Sequence, residues 1–410
     1  MKAFESSSVL ARAIAEREYM VEARRAIHCR PELGFEEHAT ARLIADRLEA
    51  LGLEVKTGVG GTGVLAVLKG GGPGPTVALR ADMDALPVSE ETGLPYASVR
   101  PGLMHACAHD MHCAVLLGVA AVLKECISEF RGTVVFMFQP AEETDGGARA
   151  FIDTGVLAEY EPSAVFGLHM WPDLAVGKVG VRPGPVMASL DSFDIELVGS
   201  TAHGAMPHRG RDAVLAASSV VLGLQQVVSR NVDPMEAAVV TVGTLHSGKA
   251  RNIIADHAAL TGTVRTLGES VRELVASRIE GVVAMCARAH GVEPRVKYDR
   301  LLPTLMNDCR MCEIAAGSAR AVLGPECIEQ PMPSMAADDF SLYAERVPGC
   351  YVFFGCTAAG DATYPLHNGH FAPSEDALPV ACAVMTRICM DYSHYSAAQL
   401  AGQFETGRQD

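Results

Sequence analysis

The chain has 410 residues, a formal net charge of −15 at pH 7, and 49% hydrophobic residues. This length exceeds what a single hydrophobic core usually organises, so we expect two domains. Because the charge is negative and no basic run interleaved with aromatic residues occurs, nucleic acid is disfavoured as a partner.

The first 28 residues intersperse Glu and Arg among apolar residues at helical spacing. A signal peptide or a membrane span needs an unbroken apolar stretch, so the sequence predicts neither. We therefore expect a cytoplasmic protein without a membrane partner, in which the 12 cysteines are reduced. Cys309 and Cys312 have redox or zinc spacing, but no second such pair accompanies them, which favours a structural role.

Up to about residue 186, predicted helices alternate with strands that are apolar nearly throughout. This pattern is typical of an α/β domain with a mixed, mostly parallel sheet and helices on both faces. The predicted elements are an amphipathic N-terminal helix, a helix at 36–52, strands at 63–70 and 76–84, a helix at 112–126, and strands at 132–139 and 163–171.

The pattern changes in a stretch rich in glycine and proline near residues 177–189. A βαββαβ unit follows, the signature of a ferredoxin-like α+β sandwich. We interpret residues 187–301 as a domain inserted into the α/β domain, which residues 1–186 and 302–410 form together. The inserted elements are strands at 192–199, 237–248, 257–267 and 292–301 and helices at 212–230 and 270–291; strand 351–355 and helix 377–393 then return to the first domain.

Polar side chains stand at or just beyond the carboxyl ends of the buried strands predicted for the first domain. Ligands of open α/β sheets bind at these ends, so segments remote in sequence are expected to converge there. The polar groups are Asp82 and Asp84, Glu142 and Glu143, His169, and His367.

The segment MHACAHDMH, residues 104–112, adds a cysteine and three histidines to this set. Thiolate, imidazole and carboxylate ligands suit zinc, manganese or cobalt better than calcium or magnesium. Taken singly, a histidine near a strand end is more often structural, and adjacent glutamates are more often a solvated turn. Because five such groups coincide at one sheet edge, we predict a metal site. The five are Cys107, His109, Glu143, His169 and His367.

Motifs along nearly the whole chain resemble the M20 metallopeptidase family, in particular its amidohydrolase branch of hippurate hydrolases, N-acyl-amino-acid amidohydrolases and auxin-conjugate hydrolases. The matching segments are HCRPELGFEEHAT, LRADMDALPVSEETGLPYAS, MHACAHDMH, FQPAEETDGGA, GLHMWP, STAHGAMPHRGRDAV, RNIIADHAALTGTVRT, MAADDFSLY and PLHNGHF.

The resemblance implies that two divalent metal ions (zinc, manganese, cobalt or nickel) share the five ligands named above. Glu142, the first residue of the Glu-Glu pair, is then the general base. It takes a proton from a metal-activated water and delivers it to the leaving amine, which requires a carboxylate that is not itself a ligand.

The resemblance also makes the inserted domain a lid and dimerisation domain. His203 is expected to help stabilise the oxyanion, often from the partner subunit. Asn252 and Arg265 lie where family members contact the carboxylate of the substrate, and Arg265 could bind it bidentately. We therefore expect a homodimer or a higher homo-oligomer.

Several polar neighbours of the ligands have supporting roles in this interpretation. Asp110 is expected to orient a ligand histidine, and Asp82 and Asp338 to supply supporting carboxylates near the ligands or the substrate. His370 lies three residues after His367 and competes with it for the ligand role, which we assign to His367. His105, His112 and Asp84 are interpreted as structural or supporting.

Four residues depart from the usual pattern of the branch: Ala108 and Asp338 replace glycine and glutamate, and Ala255 and Gly369 replace prolines. Ala108 requires backbone angles that a Cβ permits. None of the four removes a ligand or the base, so they bear on substrate preference and not on hydrolysis.

The sequence thus predicts a metal-dependent amidohydrolase that cleaves N-acyl amino acids to a carboxylic acid and a free amino acid. A dipeptidase or carboxypeptidase is the nearer alternative, because the same groups would cleave a peptide bond if the pocket accepted an aminoacyl group. A non-catalytic binding protein is the more distant one, although it would be expected to lack Glu142 or a ligand.

Overall fold

A computed structural model describes residues 6–144, 146–358 and 364–394. The helices are α1 (Ser6–Ala15), α2 (Arg17–His28), α3 (His38–Ala50), α4 (His109–Glu125), α5 (Gly147–Asp153), α6 (Val156–Tyr160), α7 (Ala213–Asn231), α8 (Glu269–His290), α9 (Cys309–Leu323), α10 (Ser341–Ala344) and α11 (Ala377–Ser393). The strands are β1 (Glu54–Val59), β2 (Gly63–Lys69), β3 (Thr76–Asp82), β4 (Thr133–Gln139), β5 (Ala164–Ala175), β6 (Val179–Gly180), β7 (Gly184–Met187), β8 (Leu190–Val198), β9 (Ala202–His203), β10 (Ala238–Ser247), β11 (Ile253–Ile254), β12 (His257–Thr266), β13 (Glu293–Leu302), β14 (Leu305–Asn307), β15 (Ile328–Glu329) and β16 (Gly349–Thr357).

The chain divides into two compact units, each with its own hydrophobic core. Unit 1 comprises Met1–Gly184, Met306–Met332 and Leu342–Asp410, and unit 2 comprises Pro185–Leu305 and Pro333–Ser341.

The segment Pro333–Ser341 belongs to unit 2, whereas the sequence interpretation placed all of residues 302–410 in the first domain. The backbone of the segment is tied to unit 2 by the N–H group of Ala188. That group donates to the carbonyls of Ser334 and Ala336, at 3.1 and 2.8 Å. Hydrogen bonds of this kind join segments remote in sequence, so periodicity could not have placed the segment.

Unit 1 is built on a mixed, mostly parallel sheet, as predicted. Its strand order among the described residues is β1-β2-β4-β3-β5-β16-β6-β15. The central strands β4, β3, β5 and β16 run parallel to one another, and antiparallel pairs occur at β1–β2, β2–β4 and β16–β6. Helix α4 is buried at every position from His109 to Leu123, which explains why its sequence has no polar face.

Unit 2 has the predicted ferredoxin-like topology. Its elements follow in the order β8-α7-β10-β12-α8-β13, and the four strands form an antiparallel sheet in the order β10-β12-β8-β13. By length and composition α7 is the one helix among the described residues that could cross a membrane. One face of α7 packs inside the protein, however, because Ala216, Val220 and Leu224 belong to the core of unit 2.

A buried ionic network joins α2 to α4 in unit 1. Arg24 Nε and His28 Nδ1 lie 3.1 and 2.8 Å from Asp110 Oδ2, and His28 Nε2 lies 3.2 Å from Glu90 Oε1. Burial alone would lower the pKa of His28, but Asp110 and Glu90 outweigh it and raise this pKa to about 9. His28 is therefore a cation over the physiological pH range.

This network predicts a pH-dependent stability. The folded-state pKa of His28 lies above the ordinary value of 6.5, so its contribution is complete below pH 6.5 and is lost as pH rises through 9. We expect the free energy of unfolding to fall by on the order of 3 kcal/mol between these limits, measured by urea denaturation. The His28→Gln variant should lack most of this fall; an unchanged pH dependence in the variant would contradict the assignment.

Candidate metal centre

The parallel strands of unit 1 bring their polar residues to one level. Asp82 at the end of β3 pairs with Gln139 at the end of β4, and Arg80 on β3 pairs with Gly167 on β5. His169, two residues beyond Gly167, is therefore level with Asp82. The predicted convergence of remote segments at the carboxyl edge thus occurs in the structure, although β5 continues past His169 to Ala175.

Cys107 and His109 reach this edge from the turn that precedes α4. His109 is the first residue of the helix, and Ala108 precedes it with φ 65° and ψ 20°, in the left-handed region. The Cys107 thiol therefore extends from the turn and the His109 imidazole from the helix, and their donor atoms lie within 4.8 Å of each other. Both residues are buried.

Several sets of three donor groups among the described residues have donor atoms within 4.8 Å of one another, and two of these sets consist only of predicted ligands. Cys107 Sγ lies 3.5 Å from His169 Nε2, and Glu143 Oε1 lies 3.2 Å from His367 Nε2. The first set is Cys107, His109 and His169, and the second is Cys107, Glu143 and His367. The two sets share Cys107, so its sulfur would contribute to both if each set held a cation.

The second nitrogen of each buried histidine is held in a way that directs the first toward the donors. His109 Nδ1 lies 2.9 Å from the Asp84 carbonyl and 3.2 Å from Asp84 Oδ1, and His169 Nδ1 lies 2.8 Å from the Met170 carbonyl. Both Nδ1 atoms can therefore donate to these oxygens, which leaves both Nε2 atoms directed toward the other donor groups. His109 Nε2 is buried without a hydrogen-bond partner, as expected of an atom that binds a metal ion.

The electrostatics of the edge also favour cations. Burial alone would lower the pKa of His109, but Asp82 and Asp84 outweigh it and raise this pKa to about 10. His169 differs, because burial and His112 hold its pKa well below the usual value. The site therefore carries an excess of negative charge that one proton on His109 partly compensates, and thiolate, imidazole and carboxylate donors fit zinc, manganese or cobalt.

Two buried carboxylates support the turn that carries Glu142 and Glu143. Glu37 Oε1 accepts a hydrogen bond of 2.8 Å from the N–H of Ala141, and Asp84 Oδ2 accepts one of 2.9 Å from the N–H of Glu143. Sequence reasoning missed Glu37 and gave Asp84 only a general supporting role. Both lie in motifs that carry the family resemblance, but their partners are backbone groups, which leave no trace in the sequence.

Three residues with positive φ adjoin or form the donor set: Ala108 (65°), Ala141 (54°) and His367 (63°). For residues with a Cβ this region costs roughly 1–2 kcal/mol each. The strain coincides with the predicted ligands and with the residue before Glu142, so it accompanies the site. Ala108, where the branch usually has glycine, is the clearest case, because a glycine would avoid the cost.

The predicted supporting residues Asp82 and Asp110 differ: Asp82 Oδ2 lies 3.7 Å from Nε2 of the ligand His109, as predicted, whereas Asp110 has other partners. Asp110 does not orient a ligand histidine, since the hydrogen bonds described for it go to Arg24 and His28. Asp82 receives a hydrogen bond from His112 Nδ1 at 2.6 Å, and His112 Nε2 accepts from the N–H of Met170 at 2.9 Å. Both nitrogens of His112 are thus engaged, in agreement with a structural role.

His370 and the Cys309–Cys312 pair are also separated from the donor sets. His370 Nε2 lies 3.0 Å from Glu91 Oε2, and its Nδ1 lies 3.0 Å from the Glu91 carbonyl. Cys309 is exposed at the start of α9, and Cys312 is buried 3.7 Å from the Cys350 sulfur. All three thiols are free.

The predicted substrate residues of unit 2 lie in two places. His203 pairs with Ile253, and the N–H of Gly204 donates to the Asn252 carbonyl at 2.7 Å, so His203 and Asn252 are neighbours. Arg265 lies near the other end of β12, eight residues beyond His257, or about 27 Å at the usual rise per residue. One copy of unit 2 therefore does not bring Arg265 to the other two.

Asp338 is buried in the Pro333–Ser341 segment of unit 2, where its Oδ1 accepts a 2.7 Å hydrogen bond from the N–H of Phe340. Its side chain thus shapes its own turn. A further role of this carboxylate near the ligands or the substrate stays a prediction.

A mostly parallel α/β sheet with two linked donor sets at its carboxyl edge defines a metal-dependent hydrolase. The chain belongs to Peptidase family M20/M25/M40, whose model matches residues 78–391. The YXEP protein of Bacillus subtilis, a dinuclear metal-binding peptidase of the M20 family, superposes with a TM-score of 0.82 at 36% identity, covering 92% of this chain and 98% of that one. The chain is accordingly a metal-dependent amidohydrolase.

Similar proteins have related names. The chain is 41% identical to an N-acetyl-L-cysteine deacetylase of Bacillus subtilis (87% of this chain, 83% of the relative) and 37% identical to a hippurate hydrolase of Campylobacter jejuni (90% and 95%). It is also 35% identical to thermostable carboxypeptidase 1 of Saccharolobus solfataricus (92% and 96%).

The strain at Ala108 predicts the effect of two substitutions. Ala108→Gly should raise the free energy of unfolding of the metal-free protein by about 1 kcal/mol, because glycine adopts this conformation freely. Ala108→Val should destabilise it, because a β-branched residue tolerates positive φ least and the site is fully buried. Urea denaturation of the three proteins measures both effects, and a destabilised Ala108→Gly variant would contradict this account.

Proposed function

We propose that the chain hydrolyses the amide bond of N-acyl amino acids, using two divalent metal ions and Glu142 as the general base. The observation that carries the proposal is the pair of donor sets joined at Cys107, with the Glu142 carboxylate within 4.8 Å of donor atoms of His109 and Glu143. Glu142 is buried, and it is not among the five predicted ligands, although its carboxylate also forms a donor set with His109 and Glu143. A carboxylate in this position is suited to proton transfer.

In the proposed mechanism each residue has a distinct task. The ions, when bound, lower the pKa of a water molecule and polarise the carbonyl of the scissile amide. Cys107, His109 and His169 would hold one ion, and Cys107, Glu143 and His367 would hold the other. Glu142 accepts the proton of the attacking water and later delivers it to the nitrogen of the leaving amine. Because Glu142 is nearly excluded from bulk water, the proton is retained between the two steps.

We also propose that unit 2 supplies the groups that recognise the substrate. His203 stabilises the oxyanion, and Asn252 and Arg265 bind the carboxylate of the amino acid. Since Arg265 lies at the opposite end of the sheet from the other two, all three can serve one small substrate only if two copies of the chain contribute. This separation supports a homodimer in which His203 and Asn252 act on the partner's substrate.

The surface of unit 2 supports such a dimer. Strand β10 is an edge strand, whose outer backbone groups have no strand partner within the described residues. Large apolar side chains are also exposed on this unit, as is common at protein interfaces. They are Met206, Val214, Leu215, Leu222, Met235, Val239, Leu245, Ile253 and Met285.

The names of the relatives favour a short acyl or benzoyl group, whereas the carboxypeptidase supports the peptidase alternative. Rates of hydrolysis of N-acetyl, N-benzoyl and aminoacyl derivatives of the same amino acids, measured with zinc, manganese and cobalt, separate the two. Faster turnover of the aminoacyl derivatives would favour the peptidase.

Glu142→Gln tests the base. We expect kcat to fall by about 10²–10⁴-fold, because proton transfer is lost, while two ions per chain stay bound. Glu143→Gln is the matched control, since it changes the adjacent carboxylate and should reduce metal content. Metal analysis and steady-state kinetics measure the two effects. If Glu142→Gln turned over substrate at the wild-type rate, the mechanism would be wrong.

Mixing two inactive variants tests whether sites are shared between subunits. Glu142→Gln and His203→Ala chains should each be inactive, but a mixed dimer contains one site with both groups intact. We expect activity to return when the two proteins are dissociated together and reassociated. Glu142→Gln mixed with Glu143→Gln is the control, because both defects lie in the same unit and no intact site forms. Absence of recovery in verified mixed dimers would exclude sharing.

A further inference from the structure

His367 belongs to a loop, Leu366–Phe371, that is anchored differently from the other ligands. Its side chain is half exposed, at 52% of its full accessibility, whereas the other four ligands are buried or nearly so. Its backbone has φ 63°, and its N–H donates to the Ala106 carbonyl at 2.9 Å. An exposed ligand in a strained conformation requires surrounding contacts that hold it.

The strongest of these contacts come from Glu91. The Glu91 carboxylate lies 3.0 Å from His370 Nε2, and its carbonyl lies 3.0 Å from His370 Nδ1. The N–H of Glu91 donates to the Gly369 carbonyl at 2.8 Å. Three contacts therefore fasten the loop to one residue of a segment remote in sequence, through its side chain and both of its backbone polar groups.

Gly369 permits this close approach. A Cβ placed on Gly369 would lie 2.4 Å from the Ser89 carbonyl oxygen, a distance that no real Cβ adopts. Any other residue at this position, including the proline usual in the branch, would push the loop away from Ser89 and Glu91. Glycine at position 369, where the branch usually has proline, therefore allows the backbone of the loop to contact Ser89 and Glu91.

The loop is also closed on itself. Asn368 Oδ1 accepts a 2.9 Å hydrogen bond from the N–H of His370, and the Asn368 carbonyl accepts one from the N–H of Phe371 at 2.9 Å. Because this turn links His367 to His370 through only two residues, a constraint on His370 is passed to the ligand. Without it, metal binding must order the loop at an entropic cost.

We infer that Glu91 and His370 are positioning residues that hold His367 in place for the second metal ion. This inference rests on the proposed function, since it takes His367 as a ligand. Neither residue touches a metal ion. The pair acts by keeping the His367 imidazole beside Glu143, where their Nε2 and Oε1 atoms lie 3.2 Å apart.

Titration of the metal-free full-length protein with Zn²⁺ or Co²⁺, followed by calorimetry and by the cobalt absorption spectrum, tests the inference. Wild type should bind two ions. His370→Ala should bind the first with unchanged affinity and the second at least about 10-fold more weakly, the range seen when a partner of a ligand is lost. His394→Ala, which removes an exposed histidine at the end of α11, should behave as wild type.

Glu91→Ala should weaken binding of the second ion less than His370→Ala does, because it removes the carboxylate contact and leaves both backbone contacts of Glu91. The double variant should be no weaker than His370→Ala, because the Glu91 carboxylate acts through His370. Glu91→Gln should restore part of the affinity, since its amide oxygen still accepts a hydrogen bond. Thermal denaturation without metal checks that every variant folds.

The outcomes distinguish the positioning role of Glu91 and His370 from the existence of the metal centre. If His370→Ala binds both ions like wild type, or if the two alanine effects add, the positioning role is excluded while the metal centre stands. If wild type binds fewer than two ions, the proposed metal centre itself fails.

Discussion

The concentration of ionisable groups in a buried part of unit 1 is the constraint on which the rest of the structure depends. Asp82, Asp84 and Glu142 are excluded from water within a few ångströms of two buried histidines. Removing such charges from water is costly unless opposite charges compensate them. Arg80 pairs with Asp82 at 2.5 Å and His109 lies 3.2 Å from Asp84, and bound cations would compensate this negative charge further. Metal ions meet this requirement and also supply the chemistry.

The geometry of the backbone follows from the same constraint. Regular strands and helices space their side chains too evenly to aim several donors at one point. His169 lies on β5 and His109 begins α4, but Cys107, Glu143 and His367 come from the turns before α4 and after β4 and from the Leu366–Phe371 loop. Three residues in these segments have positive φ. Buried carboxylates then hold the turns: Glu37 binds Ala141 and Asp84 binds Glu143. The sheet fixes the positions of these segments, and the residues with positive φ orient the ligand side chains.

Much of this arrangement could be predicted from the sequence. Apolar strands alternating with helices indicated the parallel sheet, and polar residues at the strand ends indicated where Asp82, Glu143 and His169 would meet. The βαββαβ order of the inserted segment likewise gave its antiparallel sheet. These features depend on hydrophobic periodicity and on topology, which a single chain displays directly.

Other features depend on contacts that a sequence does not encode locally. Asp110 is next to His109 in the chain, yet on a helix adjacent side chains point in different directions, and Asp110 reaches Arg24 and His28 on α2. Asn252 and Arg265 are 13 positions apart, but β12 begins between them, at His257, and carries Arg265 away from Asn252. The partners of Glu37 and Asp84 are backbone groups, which look alike in every sequence.

The position of β16 in the sheet affects how the chain is made. The strands and helices of the ferredoxin-like sandwich lie between residues 190 and 302, so that sandwich can fold as soon as this stretch leaves the ribosome. Unit 1 cannot, because β16, which separates β5 from β6, is synthesised after it. Until then the nascent chain holds a long, apolar β5 with one edge unpaired. Such an edge invites pairing with other chains. Between the synthesis of residues 175 and 357, therefore, this edge of β5 is open to pairing with other chains.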